Sequence, residues 1–319
     1  MIRAVSLLLC SMLFTGGALA QGFPTKTIRI INPFAAGGFG EVIVRPMMDR
    51  LSAALGQPIV LESHAGANGL LAAGLVAKAA PDGHTILLAN LGPQVISPAM
   101  QSELPYDPIK DFAPITQLVS GPLVLLVRSD FPAKTLPALI AHAKANRGKL
   151  SYASVGPAST THLAAELINL RAGTDILHIP YKGATPAIAD LLGGQVQMAF
   201  INISLARPQM EGGRLRGIAV STLKRSGAFP ELPTVAETLP GFEVNPWWGF
   251  MATGGTPRAI IARLHTEIVA ILKSPDFAAR LNQAGLDAEG SSPDEFAARL
   301  RADLAQWREI VKATGIKPN

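Results

Sequence analysis

The stretch Leu150–Phe200, LSYASVGPASTTHLAAELINLRAGTDILHIPYKGATPAIADLLGGQVQMAF, reads as strand, hydroxyl-rich turn, helix, strand, turn, helix, strand. A short apolar strand, Leu150 to Ala153, runs into Ser154, Gly156, Ser159, Thr160 and Thr161, just ahead of the helical periodicity of Leu163 to Leu170. Unpaired N–H groups at a helix start, neighbouring hydroxyls and the positive end of the helix dipole all favour an oxyanion. The same alternation extends outward in both directions. Strands are expected at Thr27–Asn32, Ile59–Glu62, Thr85–Ala89, Val119–Val127, Leu150–Ala153, Ile176–Ile179, Gln197–Ile201, Leu215–Val220 and Trp248–Ala252. Helices are expected at 41–55, 70–79, 136–145, 161–170, 186–192, 257–272 and 293–314, with Pro46 kinking or delaying the first. This is an α/β pattern with largely parallel sheets.

A second candidate cradle is Asn32-Pro-Phe-Ala-Ala-Gly-Gly-Phe-Gly40-Glu41, where the first strand empties into a glycine-rich loop and a helix. Glycines there let backbone N–H groups approach a bound group closely. The loop fits neither the dinucleotide pattern nor the phosphate-binding loop, since no Gly-Lys-Ser/Thr follows. Ala65-Gly66-Ala67-Asn68-Gly69 is a third turn of this kind. Several such turns at the carboxyl ends of strands are where open α/β sheets bind ligands. Gly121-Pro122 and Asn245-Pro246 look like crossings between two lobes, dividing the chain into residues 21–121 plus 247–319 and residues 122–246. No internal repeat or long linker is visible.

The N-terminus carries a short basic start at Arg3, an apolar core from Val5 to Phe14 and the small-x-small site Ala18-Leu19-Ala20, the pattern of a secretory signal peptide cleaved after Ala20. Cys10 is the only cysteine and leaves with that segment, so the mature chain has no thiol nucleophile, disulfide or thiolate metal ligand. With 48% hydrophobic and 16% charged residues, stability must come from a large core. The formal charge of +5 becomes +4 without Arg3, which mildly favours small anions. Nucleic acid is not expected as a partner, because Lys and Arg are scattered and only 6% of residues are aromatic. The six histidines show no metal-ligand spacing, so neither a metal nor a cofactor is expected. Catalysis would need Ser154 or Ser159 to pair with His162 and an acid from elsewhere. No G-x-S-x-G elbow supports it, and the local order is that of a binding loop.

From about Pro24 to the C-terminus the chain resembles the Bug family, also called TctC, of periplasmic solute-binding receptors associated with tripartite tricarboxylate transporters. The resemblance rests on Pro33-Phe34, Gly37-Gly38, Gly66 to Gly69, Lys78-Ala-Ala-Pro-Asp-Gly-His-Thr85 and Ser151-Tyr-Ala-Ser154. It continues through His178-Ile-Pro-Tyr-Lys-Gly183, Asp190-Leu-Leu-Gly-Gly-Gln-Val196, Leu232-Pro-Thr-Val-Ala-Glu237 and Trp248-Gly249. It implies a two-lobed, type II periplasmic-binding-protein fold that closes on a small organic carboxylate without a cofactor. A monomeric receptor would then present that ligand to TctA- and TctB-like membrane transporter subunits, or to a membrane sensor.

By the same resemblance, one ligand carboxylate meets Phe34, Ala36, Gly37, Gly38, Gly66, Ala67, Asn68 and Gly69. A second polar end meets Ser154, Gly156, Ser159, Thr160 and His162, with Asn202 nearby. Three positions depart from the family's usual pattern: Glu41 and Asn202 in place of Asp, and Ser63-His64 in place of Asn-Arg. Glu41 is expected to cap its helix, away from a bound carboxylate. His162 is expected to order its loop through a hydrogen bond. Lys182 is expected to pin a turn, with Tyr181 and Lys182 also candidates for ligand contact. Phe34 and the Trp247-Trp248 pair are candidates for stacking on a ring, although a tryptophan pair on a hinge strand is read first as packing.

Overall fold

The computed structural model describes residues 22–101 and 103–314, so the expected signal peptide lies outside the described residues. Eleven strands alternate with helices. They are β1 (Ile28–Asn32), β2 (Ile59–Ser63), β3 (Thr85–Asn90), β4 (Phe112–Ser120), β5 (Leu123–Arg128) and β6 (Ser151–Ser154). The others are β7 (Leu177–Pro180), β8 (Met198–Asn202), β9 (Leu215–Val220), β10 (Trp247–Thr253) and β11 (Asp287–Ala288). They form two sheets, ordered β11-β4-β10-β3-β1-β2 and β7-β6-β8-β5-β9, one in each of two lobes.

Each sheet has a parallel trio at one side, β2-β1-β3 and β7-β6-β8, flanked by a strand that runs antiparallel to it, β10 and β5 respectively. The sheets are therefore mixed rather than largely parallel. The two lobes share one strand order although no repeat is visible in the sequence, because topology is carried by the pattern of burial and not by residue identity. β5 shows that pattern. Leu123, Leu125 and Val127 pack into one apolar cluster and Val124 and Leu126 into another, so a continuous apolar run is buried on both faces.

The expected strand Val119–Val127 is two strands, since Gly121-Pro122 breaks it and sends β4 into one sheet and β5 into the other. The return crossing runs from Val244 to Trp247. Gly121 donates to the Pro246 carbonyl at 3.3 Å, tying the two crossings together. The buried Ser221 hydroxyl ties them again, accepting from Leu123 N at 3.0 Å and donating to the Val244 carbonyl at 2.6 Å.

Pro46 neither breaks nor delays its helix, which runs unbroken over Phe39–Leu55. Helices Ile203–Glu211 and Pro275–Gln283 and a π-helical turn at Gly92–Ile96 were not legible in the sequence. Neither were most of β4 and the two-residue β11, whose identity depends on pairing with neighbours rather than on local pattern.

Candidate functional site

The two lobes enclose a cleft of about 350 Å3, lined from both sides. Lobe one contributes Phe34, Gly38 and Phe39 after β1, Gly66 to Gly69 after β2, Asn90 at the end of β3 and Trp248 on β10. Lobe two contributes Gly156, Ser159, Thr160 and Thr161 after β6, the turn Tyr181 to Pro186 after β7, and Asn202 at the end of β8. The carboxyl ends of both parallel trios thus face one space. Of the residues expected at the site, Phe34, Gly38, Gly66, Ala67, Asn68, Gly69, Gly156, Ser159, Thr160 and Asn202 line the cleft. Ala36 and Gly37 are exposed, while Ser154 and His162 are buried, and none of these four lines it.

The first loop is organised by Asn32, which is fully buried. Its side-chain oxygen accepts from Phe34 N at 3.2 Å, its amide donates to Ser63 Oγ at 3.0 Å, and its carbonyl accepts from His64 N at 2.8 Å. Of the departures, Ser63 serves the loop's architecture through its hydroxyl, whereas His64 contributes only its main-chain N–H. Gly40 is required by the same side chain, since a Cβ there would stand 2.1 Å from Asn32 Oδ1. No side chain caps the helix that follows. Glu41 instead turns back on its own loop, accepting from Gly37 N at 3.0 Å and from Arg45 Nε at 2.6 Å. Arg45 and then the Gly37 N–H hold the Glu41 carboxyl below its usual range, and it does not line the cleft.

The lobe-two loop is held by side chains. Ser159 caps the helix Thr160–Ala172 by accepting from His162 N at 3.2 Å, and it donates to the Gly156 carbonyl at 2.6 Å. Thr161 Oγ1 accepts from Val155 N at 3.0 Å, and His162 Nδ1 accepts from Ala158 N at 3.1 Å. Ser154 Oγ lies 2.6 Å from His178 Nε2 and accepts from Gly156 N at 3.1 Å. The serine beside a histidine is thus paired with His178, not His162, and it works inside the loop. The His162 and His178 rings stack with centroids 4.1 Å apart. Burial, with His178 beside it, lowers the His162 pKa to about 3, and burial lowers that of His178 to about 4, so both are neutral at physiological pH.

One hydrogen bond crosses the cleft directly, from the Asn68 side-chain amide to the Ala158 carbonyl at 2.8 Å. Both residues have positive φ, 53° for Asn68 and 54° for Ala158, a left-handed conformation that costs energy at alanine. Tyr181 lines the cleft, but its hydroxyl is committed to Asp190 Oδ2 at 2.7 Å. Trp247 donates to Asp303 at 2.7 Å and is packing, whereas Trp248 lines the cleft and contacts Phe39. Asn90 escaped the sequence reading, and Asn32 and Phe39 lay within the expected cradle without being singled out. Asn90 carried a usable signal, a strand end followed by Gly92-Pro93 at the ligand-facing edge of a sheet. Among the described residues no group of histidine, cysteine or acidic side chains is placed to hold a metal ion.

Two α/β lobes joined by paired crossings, with glycine and hydroxyl loops converging on the cleft between them, define a periplasmic-binding-protein fold. The family model for the tripartite tricarboxylate transporter family receptor, TctC, matches residues 43–316. The protein BugT of Bordetella pertussis is 34% identical over 300 residues, covering 93% of this chain and 92% of BugT. Among solved structures, R. palustris Rpa4515 with adipate superposes with a TM-score of 0.89 at 32% identity, over 93% of this chain and all of that one. MatC from Rhodopseudomonas palustris with bound malate superposes with a TM-score of 0.86 at 33% identity, over 91% of this chain and 100% of its own. The chain belongs to the tripartite tricarboxylate transporter receptor family, and is a solute-binding receptor rather than an enzyme.

Proposed function

We propose that this receptor binds a small organic carboxylate between its lobes in the periplasm and presents it to the membrane subunits of a tripartite tricarboxylate-type transporter. The observation that carries this reading is the lining of the cleft. Neutral donors at strand–helix junctions enter from both lobes, and no acidic side chain is among the described residues that line it. Such donors hold an anion without leaving an unpaired buried charge when the ligand departs. The solved relatives with adipate and malate support a carboxylate ligand. Ten of the positions expected to hold it, among them Gly38, Asn68, Ser159 and Asn202, line the cleft, and in this reading a di- or tricarboxylate reaches from the first two loops to the third.

Closure is the mechanism. The lobes, residues 21–121 plus 247–319 and residues 122–246, rotate about the crossings at Gly121-Pro122 and Pro246-Trp247, and the ligand stabilises the closed state through donors from both. The protein works as a monomer after removal of its signal peptide at Ala20.

A thermal-shift screen of residues 21–319 against organic acids and their amides tests this reading. A carboxylate at a hundred times its Kd adds about 2.7 kcal/mol of stability, a clear rise in Tm, while its amide adds none. Stabilisation by amides alone would refute the anion reading. Gly38→Asp, which crowds the Ala35 carbonyl 2.8 Å from the new Cβ and adds a negative charge at the cleft, is expected to abolish the carboxylate shift.

A further inference from the structure

One wall of the cleft is aromatic. Phe39, the first residue of its helix, packs against the Trp248 indole with ring centroids 4.2 Å apart and planes at 49°. Phe34 meets Phe39 edge-on at 6.2 Å, and all three line the cleft. Trp248 is only 3% exposed, and its Nε1–H is buried with no acceptor. A buried donor left unpaired is costly, so a ligand atom that accepts from it gains the hydrogen bond that the fold leaves unmade.

The charges around this wall are few. Lys182 is the one cation among the described residues lining the cleft, and no carboxylate is there to meet an ammonium group. The hydroxyls of Ser159 and Thr161 are spent on the loop's own Gly156 carbonyl and Val155 N–H. A ligand with one carboxylate finds donors at the loops. A second carboxylate set against Phe39 and Trp248 would be desolvated against the rings, and only one turned toward Thr160, Thr185, Asn202 or Lys182 would meet polar side chains.

We infer that the ligand is a planar ring acid, an aromatic or heteroaromatic monocarboxylate without an ammonium group, and that Phe39 and Trp248 determine this specificity. The ring lies against the two side chains and an acceptor atom of the ligand meets Trp248 Nε1–H. This inference rests on the carboxylate-receptor reading and departs from its di- or tricarboxylate ligand, the ring taking the place of the second carboxylate.

Calorimetric titration of residues 21–319 with benzoate, 4-hydroxybenzoate, cyclohexanecarboxylate, succinate and adipate tests it. The expected result is that at least one of the two benzoates binds roughly tenfold or more tightly than every non-aromatic acid, the scale of a ring contact plus a hydrogen bond. Trp248→Phe keeps a ring but loses the donor, and should weaken the preferred benzoate roughly tenfold. Phe39→Ala should erase most of the preference over adipate. Phe34→Ala, at a half-buried position, should weaken the benzoate several-fold and adipate by less, so that the ratio of the two affinities falls.

Succinate or adipate binding as tightly as the benzoates would overturn the ring-acid inference and leave the carboxylate receptor standing. Cyclohexanecarboxylate matching benzoate would overturn planarity as the criterion, and with it the inference. Binding by none of the five acids would overturn the inference and count against the receptor reading as well.

Discussion

The loop Asn32–Gly40 in lobe one and the loop Ser154–Thr160 in lobe two occupy the same place in the same topology, each between the first strand of a parallel trio and a helix facing the cleft. They are built oppositely. The lobe-one loop is a main-chain structure in which one buried asparagine fixes the path and no side chain caps the helix. The lobe-two loop is a side-chain structure in which Ser154, Ser159, Thr161 and His162 satisfy the local N–H groups. One topological position can therefore be held by one buried asparagine and main-chain hydrogen bonds or by a set of side chains that satisfy the local N–H groups, depending on which polar side chains are within reach.

The largest expected effect breaks the main-chain loop. Gly40→Val places its Cβ against the Asn32 side chain, 2.1 Å from Oδ1, and should cost about 3 kcal/mol or more, read as a lowered midpoint in urea. An unchanged midpoint would mean that Asn32 does not fix the loop.

Acid should act on the other loop. The His162 and His178 pKa values fall from 6.5 in the unfolded chain to about 3 and about 4 in the folded one, so between these values the unfolded state binds more protons. The stability they contribute is complete above pH 6.5 and is lost as pH falls from 6.5 toward 4. The loss should be on the order of 2 kcal/mol by pH 5 for the fully buried His162 ring, and less for the half-buried His178. His162→Gln should flatten that slope of Tm against pH, and a wild-type Tm constant from pH 7 to 5 would contradict the neutral pair.

Smaller effects sharpen the contrast. Ser159→Ala removes a helix cap and the anchor on Gly156, with an expected cost of about 1 kcal/mol in thermal unfolding. A matching substitution has no counterpart at Gly38, where no side chain caps. Asn68→Ala removes the hydrogen bond between the loops of the two lobes and should shift the balance toward the open form by about 0.5–1 kcal/mol. Small-angle scattering of the ligand-free variant should show a larger radius of gyration than the wild type, and an identical profile would exclude this bond as a latch.

Much of the site could be read from the sequence because it consists of turns whose chemistry is local. Gly66 to Gly69, Gly156 and Ser159 line the cleft, since a strand that ends in such residues and restarts as a helix turns at the sheet's carboxyl edge. Ser154 and His162 were placed at the cleft by the same reading, yet they are buried and do not line it. Strand alternation and helix phase decide which side of a loop a residue faces, and a hydroxyl-rich run does not reveal that phase. Trp247 and Trp248 make the point most clearly. Adjacent residues on one strand point to opposite faces, so one indole is tied to Asp303 in the core while the other lines the cleft.

By itself the sequence determined the α/β class, the family and the turns at strand ends, because each is written in short-range periodicity and in glycine, proline and hydroxyl punctuation. The tertiary structure decided the mixed sheets, the duplicated strand order, the splitting of 119–127 into two strands, the pairing of Ser154 with His178 and the aromatic wall of Phe34, Phe39 and Trp248. These features join residues far apart in the chain. Their partners are chosen by which faces the packed sheets bring together, a choice that no local stretch of sequence contains.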